Sequence, residues 1–273
     1  MKQILTFLSV FFVIGLSTGQ GIVPAGARSM SMGNASATFD DVWAYQNNPG
    51  ALGAIKTFSA GLSYENRFLL KEFQTQGFAV AIPLKVGVIS VGGDMFGYRN
   101  YRSYQAGVGY SMKLSEKFFA GVQLNYKGLT LSSNYGSKHT ISAAAGVYAK
   151  VTENWKIGVS AYNVGRAKLS DFEDDRFSTV IRLGTSYLFS EKFLIAIEGE
   201  KDIENPFRFK TGLEYEPLQN FFIRAGIQTT PIEVSFGFGY HFKQVHIGVG
   251  SSYHQILGWS PNFSVIFQAK SKE

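Results

Sequence analysis

From about Lys56 to the C-terminus, the chain is a series of short segments in which large apolar residues alternate with small or polar ones. In residues 234–242, every second residue is valine, phenylalanine or tyrosine, and serine, glycine and histidine lie between them. Successive strand residues point to opposite faces, so this period of two predicts β-strands. Aromatic residues crowd one face while glycine and charge occupy the other, which suits lipid outside and a polar or crowded lumen inside. The pattern predicts an all-β protein, a transmembrane antiparallel β-barrel.

Two kinds of break separate these segments. Six are tight, at residues 83–85, 114–118, 151–155, 189–193, 217–221 and 242–245. Seven are longer and more polar, at residues 66–71, 97–102, 132–138, 166–176, 201–206, 229–233 and 255–260. Because the two kinds alternate, they join about 14 strands and leave both chain ends on one side. We expect a multi-pass barrel in the outer membrane of a Gram-negative bacterium, with the tight turns and both termini in the periplasm. A soluble multi-stranded β protein is the alternative.

The first residues have the three-part layout of a secretory signal. A short basic start is followed by an apolar run over residues 4–16 and by the small residues 17–19, so we expect cleavage before Gln20. The apolar run is too short to cross a bilayer as a helix, although a retained anchor is the alternative. The chain contains no cysteine, which excludes a lipoprotein signal, disulfides and thiolate metal sites.

Composition narrows the function classes. Aromatic residues make up 15% of the chain, as expected where they girdle both membrane interfaces. The formal charge of +6 is spread along the sequence without a cluster of basic residues. Nucleic-acid binding needs a concentrated basic face, so it is not expected. His241 and His246 bracket a tight turn but lack an evident third ligand or carboxylate, so we expect no metal site, no cofactor and no enzymatic activity.

The alternation also places charged side chains on the lumenal face of neighbouring strands. The set is Arg182, Glu198, Glu200, Arg208, Lys210, Glu214 and Arg224. A basic residue on the lipid face near mid-membrane costs ~2–4 kcal/mol, so these residues are expected to face inward. This lumenal charge cluster is interpreted either as a patch that steers or gates a solute, or as a cross-strand ladder that holds the wall and grips a plug. The second interpretation is favoured.

Residues 20–55 do not alternate. Small residues dominate the first half, Asp40 and Asp41 precede a short helical turn, and Asn48-Pro49-Gly50 is a turn signal. Such a segment before the first strand predicts an N-terminal hatch inside the barrel. The predicted organisation is therefore a signal peptide at 1–19, a hatch or plug at 20–55 and a barrel at 56–270.

The hatch contains a motif that resembles the opening of FadL-type outer-membrane proteins, including the PorV/PorQ-like proteins of type IX secretion. The residues that carry it are Gly26, Arg28, Met30, Met32, Gly33, Asn34, Asp40, Asp41, Asn48, Pro49 and Gly50. This sequence exchanges Gly50 and Ala51 relative to the usual order. Its loops are also short, whereas FadL proper builds a ligand cleft from long ones, which argues against fatty-acid capture at the outer surface.

The resemblance implies passive passage of small hydrophobic molecules past the hatch and sideways into the membrane through an interruption in the third strand. Gly92, Gly93 and Asp94 lie in the middle of the third segment and form the candidate lateral opening, because paired glycines permit a bulge. Ordinary lumen-facing glycines are an equal alternative.

Two functions remain open. The first is a channel for a hydrophobic small-molecule ligand. The second is a non-conducting barrel that docks a secretion-system or surface protein. Outer-membrane lipid is a partner in both. An apolar tunnel that runs past Met30 and Met32 to a gap in the wall would favour the channel. A hatch that fills the lumen, together with an apolar or aromatic patch at the exterior loops, would favour docking.

Overall fold

A computed structural model describes residues 24–131, 136–168 and 176–270. The expected signal peptide at 1–19 lies outside the described residues. Within them, fourteen antiparallel strands form one closed barrel. The strands are β1 Ser59–Asn66, β2 Gln74–Leu84, β3 Gly87–Tyr98, β4 Tyr101–Lys113, β5 Phe118–Leu131, β6 Ser137–Lys150, β7 Trp155–Tyr162, β8 Val180–Ser190, β9 Phe193–Asp202, β10 Arg208–Leu218, β11 Phe221–Gln228, β12 Glu233–Phe242, β13 Val245–His254 and β14 Gly258–Gln268.

Helical structure is short. The helices α1 Ala27–Ser31 and α2 Ala44–Asn47 precede the barrel, with 3-10 turns at Pro49–Ala54 and Arg67–Leu69. Across the described part of the chain, no helix combines the length and the apolar character needed to cross a membrane.

Every strand pairs with its sequence neighbours, and β1 closes the barrel against β14. Six connections of two to four residues lie at one end of the barrel, here called the turn end, and the other seven lie at the opposite end, the loop end. The strand count is therefore confirmed. The loop-end connections differ in length, and the one between β3 and β4, expected as a longer break at 97–102, consists of residues 99–100 alone. The first strand begins at Ser59, three residues later than the expected barrel boundary.

The two faces of the wall have the expected chemistry. In β12, Val234, Phe236 and Phe238 are exposed on the outside, while Ser235 and Gly237 face inward and are buried. Large apolar side chains on the outside suit lipid contact, because burying each one in the membrane stabilises the protein by about 1.5–3 kcal/mol. The structure has the fold of a membrane barrel rather than a soluble β protein.

The prediction of an interruption in the third strand is wrong. Gly92, Gly93 and Asp94 pair without a break with β2 on one side and with β4 on the other. Gly92 faces inward, where an added Cβ would lie 2.7 Å from the ring of Tyr45. The glycine therefore makes room for an aromatic side chain, and the backbone wall is closed at these three residues.

Candidate functional site

The lumen is occupied by residues 24–55, here called the inner segment. Its side chains are almost entirely buried; Met32 and Leu52 are 0% exposed and Trp43 is 1% exposed. It contacts strands around the circumference of the barrel, from Gly92 on β3 to Ser264 on β14.

Inward-facing glycines let the inner segment approach the wall backbone closely. A Cβ at Gly212 would lie 2.6 Å from the Cβ of Met32, and a Cβ at Gly226 would overlap the backbone of Gly33. Gly33 itself has a φ of 62°, and a Cβ there would lie 2.7 Å from the backbone of β10 and β11. Only glycine combines that conformation with that clearance. The space left by the missing side chains is filled by the inner segment.

Five of the seven residues of the lumenal charge cluster form one network on β8, β9 and β10. The Nε of Arg182 donates to Glu200 at 2.8 Å, and the Nζ of Lys210 lies 2.7 Å from Glu200 and 2.9 Å from Glu198. The Nη1 of Arg208 donates to Glu200 at 2.7 Å. All except Arg208 are essentially excluded from solvent. Each carboxylate therefore has cationic partners on neighbouring strands.

The same network holds the inner segment. One oxygen of Glu198 accepts hydrogen bonds from the backbone N–H groups of Ser36 and Ala37, both at 2.8 Å. Hydrogen bonds to a charged acceptor contribute about 1.5–3 kcal/mol. This arrangement matches a ladder that grips a plug, which is the interpretation favoured from the sequence.

The remaining two cluster residues form a second network with the motif residue Arg28. Arg28 makes a two-point contact with Glu214, at 2.9 Å from Nε and 2.7 Å from Nη2. Arg224 donates from Nε to the same carboxylate at 2.6 Å. Arg28 also lies 3.7 Å from Asp41 and stacks over the ring of Phe39 at 4.2 Å. The sequence placed Glu214 and Arg224 together but did not predict that Arg28 would join them.

The other half of the inner segment is held mainly by hydroxyl and amide groups. Tyr45 donates to the carbonyl of Gly92 at 2.9 Å, and Gln46 donates to Asp94 at 2.7 Å. The Oγ of Ser111 donates to the carbonyl of Pro49 at 2.7 Å. Asp94 therefore binds the inner segment and does not line a gap. Tyr45 and Gln46 were missed in the sequence, because nothing in the motif distinguishes them from other helix residues.

Asparagines of the motif shape the backbone. Asn48 accepts from the N–H of Gly50 at 3.0 Å and donates to the carbonyl of Val147 on β6 at 3.1 Å. Asn34 donates to Gln228 on β11 at 3.1 Å. Gly26 has a φ of 91° and lies against the ring of Trp43, where a Cβ would be 2.6 Å from the ring. These residues fix the path of the inner segment.

The adjacent motif carboxylates Asp40 and Asp41 differ in charge environment. Burial raises the pKa of both. For Asp40, the attraction of the ammonium groups of Lys156 at 3.2 Å and Lys150 at 3.7 Å outweighs the effect of burial, so the pKa is lowered overall. For Asp41, burial outweighs the attraction of Arg28, and its pKa stays raised. Two lysines thus hold Asp40, whereas Asp41 pairs with Arg28 and accepts a hydrogen bond from the N–H of Trp43.

A cavity of about 440 Å³ lies at the turn end, between the inner segment and strands β10–β14 and β1. Its apolar lining includes Val42, Trp43, Ile55, Phe222 and Ile266. Its polar lining includes Arg28, Asp40, Asp41, Lys56, Glu214, Arg224 and the hydroxyl or amide side chains of Thr57, Ser59, Ser264 and Gln268. The volume is within the range of small-molecule pockets, about 300–1,000 Å³.

Two histidine rings line this cavity beside an aromatic residue of β11. His241 and His246 pair across the β12–β13 turn, as expected, and their rings stack with centroids 3.8 Å apart. Phe222 lies 4.5 Å from His241. Within the described residues, no group of three or more His, Cys, Asp or Glu side chains is placed to hold a metal ion. The two histidine rings form part of the cavity wall.

Met30 and Met32 line neither this cavity nor a second, much smaller one. The second cavity, of about 10 Å³, has polar walls that include Gln46, Gln123, Asn125 and Lys127. The turn-end cavity thus does not reach the two methionines, which are buried at 3% and 0% exposure.

Solved structures of similar architecture include a hydrocarbon channel, a toluene transporter and a FadL homologue. The CymD monoaromatic hydrocarbon channel aligns with a TM-score of 0.73 at 13% identity, covering 92% of this chain and 99% of that one. The toluene transporter TbuX of Ralstonia pickettii gives 0.70 at 14% identity, with coverage of 92% and 99%. A FadL homologue of Pseudomonas aeruginosa gives 0.69 at 10% identity, with coverage of 92% and 98%.

No family model and no curated protein sequence matches the chain. At identities this low, the structural likeness establishes the fold, which is that of FadL-type outer-membrane barrels. The expected FadL-type architecture is therefore confirmed. The resemblance to PorV/PorQ-like proteins stays a prediction.

Proposed function

We propose that this protein allows small hydrophobic molecules to cross the outer membrane passively. The observation that carries the proposal is the cavity of about 440 Å³, whose aromatic and aliphatic wall lies inside a barrel with the fold of hydrocarbon channels. A monoaromatic ring fits readily, since an apolar cavity of about 150 Å³ accepts benzene. Among the charged lining residues, Arg28, Asp41, Glu214 and Arg224 are paired with one another, which lowers the cost of placing an apolar molecule beside them.

In this proposal the inner segment is the hatch. It separates the cavity from the loop end, so a molecule passes only when part of the segment moves. The half that carries Tyr45 and Gln46 is the mobile part, because several of its contacts with the wall, such as Tyr45 to Gly92 and Ser111 to Pro49, are neutral hydrogen bonds that contribute only about 0.5–1.5 kcal/mol each. The closed wall at Gly92–Asp94 removes that route into the membrane, and the molecule leaves through the turn end. The turn end and both termini face the periplasm, and residues 1–19 are a cleaved signal.

Flux into liposomes tests the proposal, with toluene as the hydrophobic probe and a sugar of similar size as the polar probe. Ile266 lines the cavity, whereas its neighbour Val265 faces outward. We expect Ile266→Trp to lower toluene flux several-fold and Val265→Trp to leave it unchanged. Equal toluene flux in the two variants, or wild-type flux no higher than in protein-free liposomes, would contradict the proposal.

A second candidate is a non-conducting barrel that docks another protein, such as a component of a type IX-like secretion system. The observation that favours it is the extent to which the inner segment fills the lumen, with charged contacts at Glu198 and Glu214. A deletion of residues 21–52 separates the candidates. A wild-type barrel that excludes both probes, together with a deletion variant that admits both, supports the docking role.

A further inference from the structure

The rim of the barrel at the loop end has two heights. β5 and β6 have 14 residues each, whereas β12 and β13 have 10 each. A strand crosses an outer membrane with about 9–11 tilted residues. β6 pairs with β7 only over residues 144–150, so its loop-end half projects beyond the end of β7. β12 and β13 have no such excess.

The two parts of the rim also differ in charge. The connections of the short strands, residues 229–232 between β11 and β12 and residues 255–257 between β13 and β14, contain no charged residue. These two connections are here called the low rim. The projecting part, residues 98–102 and 136–139, is called the high rim and carries Arg99, Arg102 and Lys138.

Large aliphatic side chains occupy the low rim. Ile256 is 84% exposed, Ile232 54% and Leu257 51%. They lie beyond an aromatic group on the outer wall, in which Trp259 is 4.7 Å from Tyr253 and 5.6 Å from Phe236. Tyrosine and tryptophan normally mark the membrane–water interface. Aliphatic residues beyond that level extend the lipid-facing surface past the strand ends.

We propose that the low rim is a lipid-contact surface, in which Ile232, Ile256 and Leu257 insert into the leaflet at the loop end while the high rim projects into water. Continuity with the apolar outer wall and the absence of charge identify lipid as the occupant. A soluble partner protein would more often be met by a mixed apolar and polar surface. The barrel mouth is therefore level with the membrane on one side. This inference does not depend on whether the barrel conducts.

Site-directed spin labelling tests the proposal, and the absence of cysteine makes single-site labelling direct. The label is attached to Ile256→Cys on the low rim. Ser137→Cys on β6 is the high-rim control, and Val249→Cys, exposed on the outer wall of β13, is the lipid control. Each variant is reconstituted into phosphatidylcholine vesicles. Its collisions with oxygen, which concentrates in lipid, and with a water-soluble nickel chelate are measured.

We expect the label at 256 to match that at 249, with a high ratio of oxygen to nickel accessibility, and the label at 137 to show the reverse. Nickel accessibility at 256 equal to that at 137 would place the low rim in water, as a surface left for a protein partner, and would overturn the proposal. Spin–spin broadening at 256 that disappears on dilution with unlabelled protein would show contact between copies, which also overturns it.

Discussion

The two halves of the inner segment meet opposite walls of the barrel through different chemistry. The polar contacts of residues 24–39 are mainly with β9–β14, where carboxylates bind Arg28 and two backbone amides. The polar contacts of residues 40–55 are mainly with β3–β7, where hydroxyls and amides predominate and Asp40 supplies the ion pairs. Buried charge pairs cost more to break than neutral hydrogen bonds. We therefore call residues 24–39 the anchored half and, because their wall contacts other than the Asp40 ion pairs are mainly hydroxyl and amide hydrogen bonds, we call residues 40–55 the releasable half.

The largest effect is expected where one carboxylate serves both wall and plug. Glu198→Gln removes a buried negative charge beside Lys210 and Arg182. It also weakens the hydrogen bonds that the side chain accepts from the backbone N–H groups of Ser36 and Ala37. Removing one partner of a buried pair costs about 3–5 kcal/mol, so the urea midpoint of the barrel in vesicles falls accordingly. Glu191→Gln, exposed at a turn, is the control and leaves the midpoint unchanged. Equal urea midpoints in the two variants would show that Glu198 does not anchor the inner segment.

The next effect tests close packing at the anchored half. Gly226→Val places a branched side chain where the backbone of Gly33 lies, and overpacking of this kind costs about 1–3 kcal/mol. We expect protease to cleave the inner segment faster in vesicle-bound protein. Ala225→Val faces outward and serves as the matched control. Unchanged cleavage in both variants would mean that this contact does not hold residues 24–39.

A smaller effect is expected at the releasable half. Gln46→Ala removes the hydrogen bond to Asp94, which keeps its second amide partner, Gln105. The loss is about 1.5 kcal/mol, the low end for a hydrogen bond to a carboxylate because Asp94 keeps Gln105, and a spin label at Ala54 should become more mobile. Asn34→Ala removes the comparable amide pair from the anchored half and should leave that label unchanged. Equal mobilisation by both variants would show that the halves move together.

The smallest effect is expected for a charged residue that binds the barrel wall at the margin of the charge network. Arg208 binds Glu200 at the partly exposed margin of the charge network, and that carboxylate retains Arg182 and Lys210. Arg208→Ala should therefore lower unfolding stability by about 0–1 kcal/mol, as for a solvent-accessible pair. The rate at which protease cleaves the inner segment should not change. Faster cleavage would show that the outer charges also secure the plug.

Local patterns in the sequence were sufficient for the barrel itself. The period of two in stretches such as residues 234–242 specifies strands, and lipid forbids unpaired charge on the outside, so Lys210 and Glu198 had to face inward. The alternation of tight and loose breaks then fixed the strand count. None of these inferences requires knowledge of distant contacts.

The contacts within the lumen depend on residues far apart in the chain, and here the sequence was insufficient. Arg28 and Glu214 are separated by 186 positions, and no local pattern pairs them. Gly92 illustrates the same limit. A glycine in a strand permits either a bulge or a close approach, and only the position of Tyr45 decides between them.

The contact between Ala27 and Ser264 has a consequence for the order of assembly. The N–H of Ala27 donates to the hydroxyl of Ser264 on β14 at 3.0 Å, across 237 positions, and β14 also closes the barrel against β1. A ribosome makes the plug first and its last partner strand almost at the end of translation. The plug must therefore be in place as the seam closes, because a closed ring with Gly33 and Gly226 in backbone contact leaves little clearance for threading a chain. We therefore expect closure of the barrel and filling of its lumen by the inner segment to occur in one step.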